Sequence, residues 1–209
     1  MPKDQRRILL VAATEKELSG LDFRSFLSVE TLVAGVGMVA TTFSLTRKLS
    51  AENFDLIIDI GIAGAFNSNL GVGDVVQVVT DRFSELGAED RDRFIPADEL
   101  GLIKKNELVF SSENQVFGLK KVQGITVNRV HGNAEGICRT VAQFNPDVES
   151  MEGAAVAFVC EQLGIPWVQI RAISNHVEPR NRDSWNIPLA LKNLHIEVLN
   201  YLKQLDNEA

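Results

Sequence analysis

The chain has 209 residues, 45% of them hydrophobic and 23% charged, with a formal net charge of −7 and two cysteines. These values are those of an ordinary globular protein, and they exclude a disordered, collagen-like or disulfide-stapled chain. Because Lys and Arg residues are scattered through an acidic chain, we predict no nucleic-acid partner. The apolar run at 8–13 is too short for a secretory signal, and no run reaches the roughly 18 residues of a membrane span. We therefore expect a cytoplasmic protein without membrane contact.

Short apolar runs alternate with longer helical patterns along the chain. We predict a strand at 8–13, a helix at 15–26, a strand at 29–34, a helix at 38–50, and strands at 55–62 and 75–80. A strand at 122–127, helices at 134–143 and 151–163, a strand at 167–173 and a helix at 187–205 follow. Continuous apolar strands that alternate with helices indicate a layered α/β fold. The polar stretch 84–102 is expected to be a long excursion from the sheet, and residues 1–209 are expected to form one domain.

Two glycine-rich segments follow predicted strands. Residues 35–40 (GVGMVA) fit the GxGxxG/A pattern of a dinucleotide site, with Asp55 and Asp59 about 20 residues further on. Because the segment follows the second strand, and the two acids do not lie at the end of the next one, a tight strand-to-helix turn is the alternative. Residues 61–65 (GIAGA) end the most apolar strand, where small side chains let a ligand approach closely. Neither GxxxxGKS nor GxxxxGKT occurs, which excludes a P-loop.

Three kinds of polar side chain are candidates for chemistry. Glu15 and Glu17 follow the first strand, where a carboxylate can act as a general base on water or can simply favour a helix start. Glu152 stands among small residues and can accept hydrogen bonds from two sugar hydroxyls, or can be a helix N-terminal carboxylate. Asn175 ends the last predicted strand, where its amide matches the edge of a 6-oxopurine; a turn residue is the alternative.

The loop at 179–185 contains two arginines and an aromatic ring. Arg180 and Arg182 can clasp a carboxylate, and Trp185 can cover an apolar ligand; a solvated surface loop is the alternative. The histidines and cysteines show no metal-ligand spacing, so we predict no metal site. No GxSxG nucleophile elbow occurs in the sequence.

The order of the segments is more informative than any one of them. VAATEKE, GVGM, DIGIAGAF, GVGDVV and ESMEGAAVAFVCEQLGIPWVQIRAISN together resemble the nucleoside phosphorylase and nucleosidase superfamily, above all its methylthioadenosine/S-adenosylhomocysteine nucleosidases. The resemblance implies a three-layer α/β/α fold with a central mixed, mostly parallel sheet. It also implies a small nucleoside substrate, no cofactor, and a homo-oligomer, a dimer or larger, with the site near the interface.

The tail RAISNHVEPRNRDSW is similar to that of the futalosine hydrolases within this superfamily. Those enzymes act in an alternative menaquinone pathway and release hypoxanthine from futalosine. The resemblance implies that Glu17 activates water and that Met151 and Glu152 hold the ribose. Arg171 and Ser174 match the superfamily's RAIS strand end and are expected to contact substrate.

Three departures from the superfamily pattern refine the expectation. Asn175 stands where adenine-specific nucleosidases carry an Asp that protonates N7, which favours a hypoxanthine leaving group. Ile62 stands where many relatives have a hydroxyl residue, and its apolar side chain favours water over phosphate as the nucleophile. Ala63 and Gly64 follow it and are expected to line the substrate site. No aromatic residue between 131 and 135 matches the one that lies beside the base. An adenine nucleosidase, a purine nucleoside phosphorylase and a non-catalytic nucleoside-binding protein remain alternatives, with a nicotinamide-binding domain more distant.

Overall fold

A mixed β-sheet with helices on both faces forms the protein in the computed structural model, which describes residues 6–23, 26, 28–91 and 93–208. The elements in chain order are β1 (Ile8–Ala12), α1 (Glu15–Leu18), β2 (Val29–Val33), α2 (Met38–Ala51), β3 (Leu56–Ala65), β4 (Val75–Arg82), β5 (Gly87–Asp90), β6 (Arg93–Pro96), β7 (Val109–Ser111), β8 (Lys120–Thr126), α3 (Ala134–Phe144), β9 (Val148–Ser150), α4 (Gly153–Leu163), β10 (Trp167–His176) and α5 (Ile187–Glu208).

The long strand β3 is the centre of the eight-stranded sheet. One edge of β3 pairs with β10, and the other pairs first with β1 and then, at Gly64 and Ala65, with β9. Because β10 continues through β4 and β8 to β9, five of the strands close into a ring, and β1 and β2 extend from it. Pairing is parallel except for β4 against β10 and β7, and β9 against β3. This confirms the predicted mixed, mostly parallel sheet.

Both faces of the central strands are apolar, because helices cover each of them. Alternate residues of β1, β3 and β10 pack against α5 on one face and against α2 and α4 on the other. Representative residues are Ile58, Ile170 and Leu194 on the α5 face, and Ile57, Leu45 and Val156 on the opposite face. The three layers predicted from the resemblance are therefore present.

Most predicted elements lie within a few residues of the observed ones, but the helix predicted at 15–26 is wrong in extent. Helix α1 ends at Leu18, because Gly20 adopts a φ of 106° and Leu21 is buried in the core beneath α5. Residues 24, 25 and 27 lie outside the described part. The excursion at 84–102 contains the β5–β6 hairpin, and the helix predicted from residue 151 begins at Gly153, because the short strand β9 precedes it.

Within the described ranges, no helix has the length and apolar character required to cross a bilayer.

Candidate active site

Glu17 and Arg171 meet above a glycine on the central strand. Arg171 on β10 is the register partner of Gly61 on β3. A Cβ atom at Gly61 would lie 2.9 Å from Glu17 Oε1 and 3.5 Å from Arg171 Nη1. The missing side chain therefore makes room for the carboxylate and the guanidinium at one place near the carboxyl end of the sheet.

Glu17 is oriented by the first turn of α1. The backbone N–H and the hydroxyl of Thr14 each donate to Glu17 Oε2 over 2.9 Å, and the first of these bonds belongs to a capping box between the two residues. His195 of α5 contacts the Glu17 carbonyl oxygen at 2.8 Å through Nε2. Glu17 itself is 8% exposed. Glu17 is thus both a helix-start residue and a carboxylate with Oε1 directed at Gly61, so the two interpretations of this residue are compatible.

Arg171 forms a buried ion pair. It is 2% exposed, and its Nη2 donates to Asp59 Oδ2 over 2.5 Å. Burial raises the pKa of Asp59 to about 7, although the Arg171 charge acts in the opposite direction. The structure thus places Arg171 beneath Glu17 as an interior charge, and a direct contact between Arg171 and a substrate stays a prediction.

Glu152 reaches the same region from the start of α4. The backbone N–H of Gly37 donates to Glu152 Oε1 over 2.7 Å. Burial raises the pKa of Glu152, against the opposing effects of this hydrogen bond and of Arg171. Gly35 and Gly37 adopt φ values of 93° and 87°, so the glycine pattern is a strand-to-helix turn that binds a carboxylate of its own chain.

The start of α4 is held by a buried polar cluster. Gln169 Nε2 donates to Asp81 Oδ2 over 2.9 Å, and Thr126 Oγ1 accepts from the backbone N–H of Ala154 over 2.7 Å. A Cβ atom at Gly153 would lie 2.3 Å from Asp81 Oδ2, so no larger residue fits there. This cluster fixes the end of the helix from which Glu152 projects.

Asn175 lies at the end of β10 with its amide held on both sides. Ser174 Oγ donates to Asn175 Oδ1 over 2.8 Å, and Asn175 Nδ2 donates to the carbonyl oxygen of His176 over 2.9 Å. A carbonyl oxygen only accepts, so the amino group must face His176 and the amide orientation is determined. Gly64 is the register partner of Asn175, and a Cβ atom there would lie 3.3 Å from Nδ2.

Two residues that sequence analysis did not single out complete this row. Glu149 on β9 is the other register partner of Gly64 and is 3% exposed. Its carboxylate accepts from the His131 backbone N–H over 3.0 Å and contacts His131 Nδ1 at 2.6 Å. The rings of Phe66 and His131 are in edge contact, with centroids 5.9 Å apart. The only sequence signal for Glu149 is its place directly before the SMEG segment. The sequence pattern does not predict β9, the three-residue strand that carries Glu149.

The loop after β10 carries the remaining predicted residues. Arg180 lies 5.6 Å from the ring centroid of Trp185, whereas Arg182 is exposed in a short 3₁₀ turn. The loop returns to the sheet where the Asn186 N–H donates to the Ser174 carbonyl over 2.9 Å. The structure thus brings Arg180 and Trp185 together.

The surroundings of three further expected substrate contacts are mainly those of their own strands and helices, and their contact with a substrate stays a prediction. Ile62 packs against the α5-side core, and Ala63 belongs to an apolar cluster inside the ring. Met151 is half-buried between β9 and α4. Among the residues that the structure describes, no three His, Cys, Asp or Glu side chains are grouped so that they could hold a metal ion.

Comparison with known proteins shows the family to which the chain belongs. Residues 28–203 match the family model described as Phosphorylase superfamily. A futalosine hydrolase of Acidothermus cellulolyticus is 31% identical over 91% of this chain and 87% of its own length. A 5′-methylthioadenosine/S-adenosylhomocysteine nucleosidase of Psychromonas ingrahamii is 29% identical over 81% of this chain and 79% of its own length. The solved native futalosine hydrolase of Helicobacter pylori shares the fold, with a TM-score of 0.78 at 18% identity over 98% of this chain and 99% of that one.

Proposed function

Because the chain belongs to the phosphorylase superfamily and is related within it to futalosine hydrolases, we propose that it hydrolyses the N-glycosidic bond of futalosine. The products are hypoxanthine and dehypoxanthine futalosine, and the step serves menaquinone biosynthesis. The observation that carries the proposal is the approach of Glu17 to Gly61, above the Arg171–Asp59 pair, with Glu152 anchored nearby on Gly37. Two carboxylates at the carboxyl end of such a sheet suit a sugar that becomes positively charged.

The mechanism assigns one task to each side chain. As the C1′–N9 bond lengthens, the ribose gains oxocarbenium character, and Glu17 holds water on the face opposite the base and takes its proton. The water oxygen bonds to C1′, and the electron pair of the broken bond stays on the purine. Glu152 accepts hydrogen bonds from the ribose hydroxyls and stabilises the positive charge. Asn175 donates a hydrogen bond to N7 or O6 of the leaving hypoxanthine, which takes its proton from solvent.

Two observations favour a 6-oxopurine hydrolase over its relatives. Asn175 has no acidic proton to give. Adenine depends more strongly than hypoxanthine on protonation at N7 in order to act as a leaving group. A phosphorylase needs groups that bind phosphate, whereas Ile62 packs into the core and Arg171 is engaged with Asp59. The second candidate is a 5′-methylthioadenosine/S-adenosylhomocysteine nucleosidase, because relatives of that name match the chain at 29% identity.

The loop after β10 is proposed to bind the far end of the substrate. Futalosine carries a benzoate on its 5′ extension. Arg180, or Arg182, pairs with the carboxylate, and Trp185 packs on the aromatic ring. The contact between Arg180 and Trp185 supports this assignment, because one ligand can then touch both side chains.

A second copy of the chain is proposed as a partner, in a dimer or larger assembly. An apolar groove of about 730 Å³ runs between α2 and residues 83–86. Val39 and Phe43 on its α2 wall are 83% and 65% exposed, which is unusual for large apolar side chains. Phe43→Glu should lower the mass measured by light scattering, whereas Phe117→Glu, on another exposed apolar residue, should leave it unchanged.

The exposed free thiol of Cys138 supports our placement of the protein in the reducing cytoplasm.

Base release from futalosine, 5′-methylthioadenosine and inosine, each with and without phosphate, tests the proposal. We expect hypoxanthine from futalosine at a rate that is independent of phosphate. Adenine from 5′-methylthioadenosine as the main product would replace the proposal with the second candidate. Turnover that requires phosphate would identify a phosphorylase, and no release from any substrate would indicate a binding protein.

A further inference from the structure

We propose that Glu149 and His131 are positioning residues that hold Arg180, and with it Trp185, over the far end of the substrate. The inference rests on the proposed function, because it assigns these residues to the binding of the 5′ extension. It concerns side chains that the mechanism above does not use.

The first step is the bond between Glu149 and His131. Glu149 is buried on β9, and both of its carboxylate oxygens contact His131, one through the backbone N–H and one through Nδ1. Thr140 Oγ1 of α3 contacts the other ring nitrogen, Nε2, at 2.8 Å. A buried carboxylate is costly without such partners, so the pair strongly favours one position of His131. The backbone and the ring are fixed together, which defines where the next residue lies.

The second step leads from His131 to the substrate loop. The carbonyl oxygen of Gly132 accepts from the backbone N–H of Arg180 over 3.1 Å. A Cβ atom at Gly132 would lie 3.5 Å from the Arg180 Cβ, so the two segments are in close contact. Glu149 on the sheet is therefore linked through His131 and Gly132 to Arg180, whose guanidinium is proposed to bind the carboxylate of the substrate.

The third step is that this link acts on the middle of the loop. The loop's two ends are attached to the sheet independently, by the Val177 N–H to the Ala65 carbonyl and by the Asn186 N–H to the Ser174 carbonyl. Loss of the Glu149–His131 contact leaves these attachments in place and frees the segment around Arg180. The expected consequence is weaker binding of the 5′ extension, with the bond-breaking residues undisturbed.

Steady-state kinetics with futalosine tests the proposal. Glu149→Ala should raise KM about tenfold, the value of one lost charge-assisted contact, and leave kcat within about twofold. The Ki of hypoxanthine, which lacks the 5′ extension, should change by less than about twofold. Glu149→Gln, which keeps an acceptor oxygen, should restore most of the affinity. Asp147→Asn is the matched control, because Asp147 lies on the same segment but bonds to Asn67 and Gln123.

A double variant separates positioning from general destabilisation. In an Arg180→Gln background, Glu149→Ala should raise KM by clearly less than it does in the wild type, because one of the two groups that it positions, the Arg180 guanidinium, is already absent. Additive increases, or equal increases in the futalosine KM and the hypoxanthine Ki, would overturn the proposal. If the wild-type enzyme does not cleave futalosine at all, the proposed function fails, and that result is separate from these comparisons.

Fluorescence gives a readout that needs no substrate. The chain has two tryptophans, and Trp167 is buried in the core. Trp185 is half-buried, so acrylamide quenching of the more accessible tryptophan component reports on Trp185. Quenching should increase in Glu149→Ala and stay at the wild-type level in Asp147→Asn. Unchanged quenching in Glu149→Ala would overturn the proposal.

Discussion

The two ends of the candidate site are held in different ways. At the sugar end, Glu17, Glu152 and Arg171 each have a specific partner: a capping box, a glycine N–H and a buried aspartate. At the far end, Arg180 and Trp185 lie on a loop that is attached mainly through backbone hydrogen bonds. Side chains locked in the interior keep reacting groups in place, whereas an exposed loop can change its residues with little effect on the fold. Catalysis and substrate choice are therefore expected to respond differently to mutation.

The largest effect is expected at the sugar end, from Glu17→Gln. Glutamine keeps an oxygen for the Thr14 capping box but cannot take a proton from water. We expect kcat to fall about 10²–10⁴-fold, the usual range for a lost general base, while KM changes little. Stopped assays of hypoxanthine release measure both. The matched control is Glu15→Gln on the exposed side of the same turn, and a near-wild-type rate for Glu17→Gln would remove Glu17 from the mechanism.

Asp59→Asn tests whether the sugar end depends on its buried charge. The change removes the carboxylate that is hydrogen-bonded to the interior guanidinium of Arg171, and breaking such a buried pair costs about 3–5 kcal/mol in the free energy of unfolding. Urea denaturation measures the loss. Glu30→Gln removes an exposed partner of Arg7 and Lys48 and should cost less than about 1 kcal/mol. Equal losses for the two variants would contradict the contrast between buried and exposed parts.

Gly61→Ala changes the position of the Glu17 carboxylate, the proposed general base, without changing its chemistry. The new methyl group would lie 2.9 Å from Glu17 Oε1, so the carboxylate must move. A displacement of this kind reduces kcat by up to about 10²-fold. Gly71→Ala is the control, since its methyl group would meet Asp74 at an ordinary 3.7 Å. If Gly61→Ala has wild-type kcat, Glu17 does not need its observed position.

The smallest effect is expected at the far end. Arg180→Gln should raise the KM for futalosine about tenfold and leave kcat unchanged, because the side chain binds a part of the substrate that does not react. Arg182→Gln, on the exposed 3₁₀ turn, should change KM less. Initial-rate measurements over a range of substrate concentrations separate the two constants. A fall in kcat in either variant would contradict the proposed division between the two ends.

The sequence predicts the layers and most strands well, because continuous apolar runs such as 55–62 are long and unambiguous. It also locates Glu17, Glu152 and Asn175, since each follows or begins an element that the pattern identifies. It does not identify Glu149, because three-residue strands such as β9 leave no periodic signal. Nor does it show that Arg171 is buried beneath the site, because that position depends on the pairing of β3 with β10.

The glycine segment at 35–40 shows how a local pattern is ambiguous. A turn with positive φ values and a free backbone N–H binds an anion whether that anion is a phosphate or a carboxylate. Here the anion is Glu152, more than a hundred residues away in sequence, so only the three-dimensional structure distinguishes the two cases. The overlong helix predicted at 15–26 has a different origin, since the polar and apolar residues there fit helical spacing but Gly20 ends the turn.

The closure of the strand ring has a consequence for how the protein folds. Strand β3 is made early in synthesis, but its long edge at 57–65 must wait for residues 167–176 of β10. Pairing between such distant segments is slow to form, and until then an apolar strand edge is open to other chains. Gly61 and Arg171 also meet only when this pairing is complete. Enzymatic activity should therefore appear as the last event of refolding, after most secondary structure has formed.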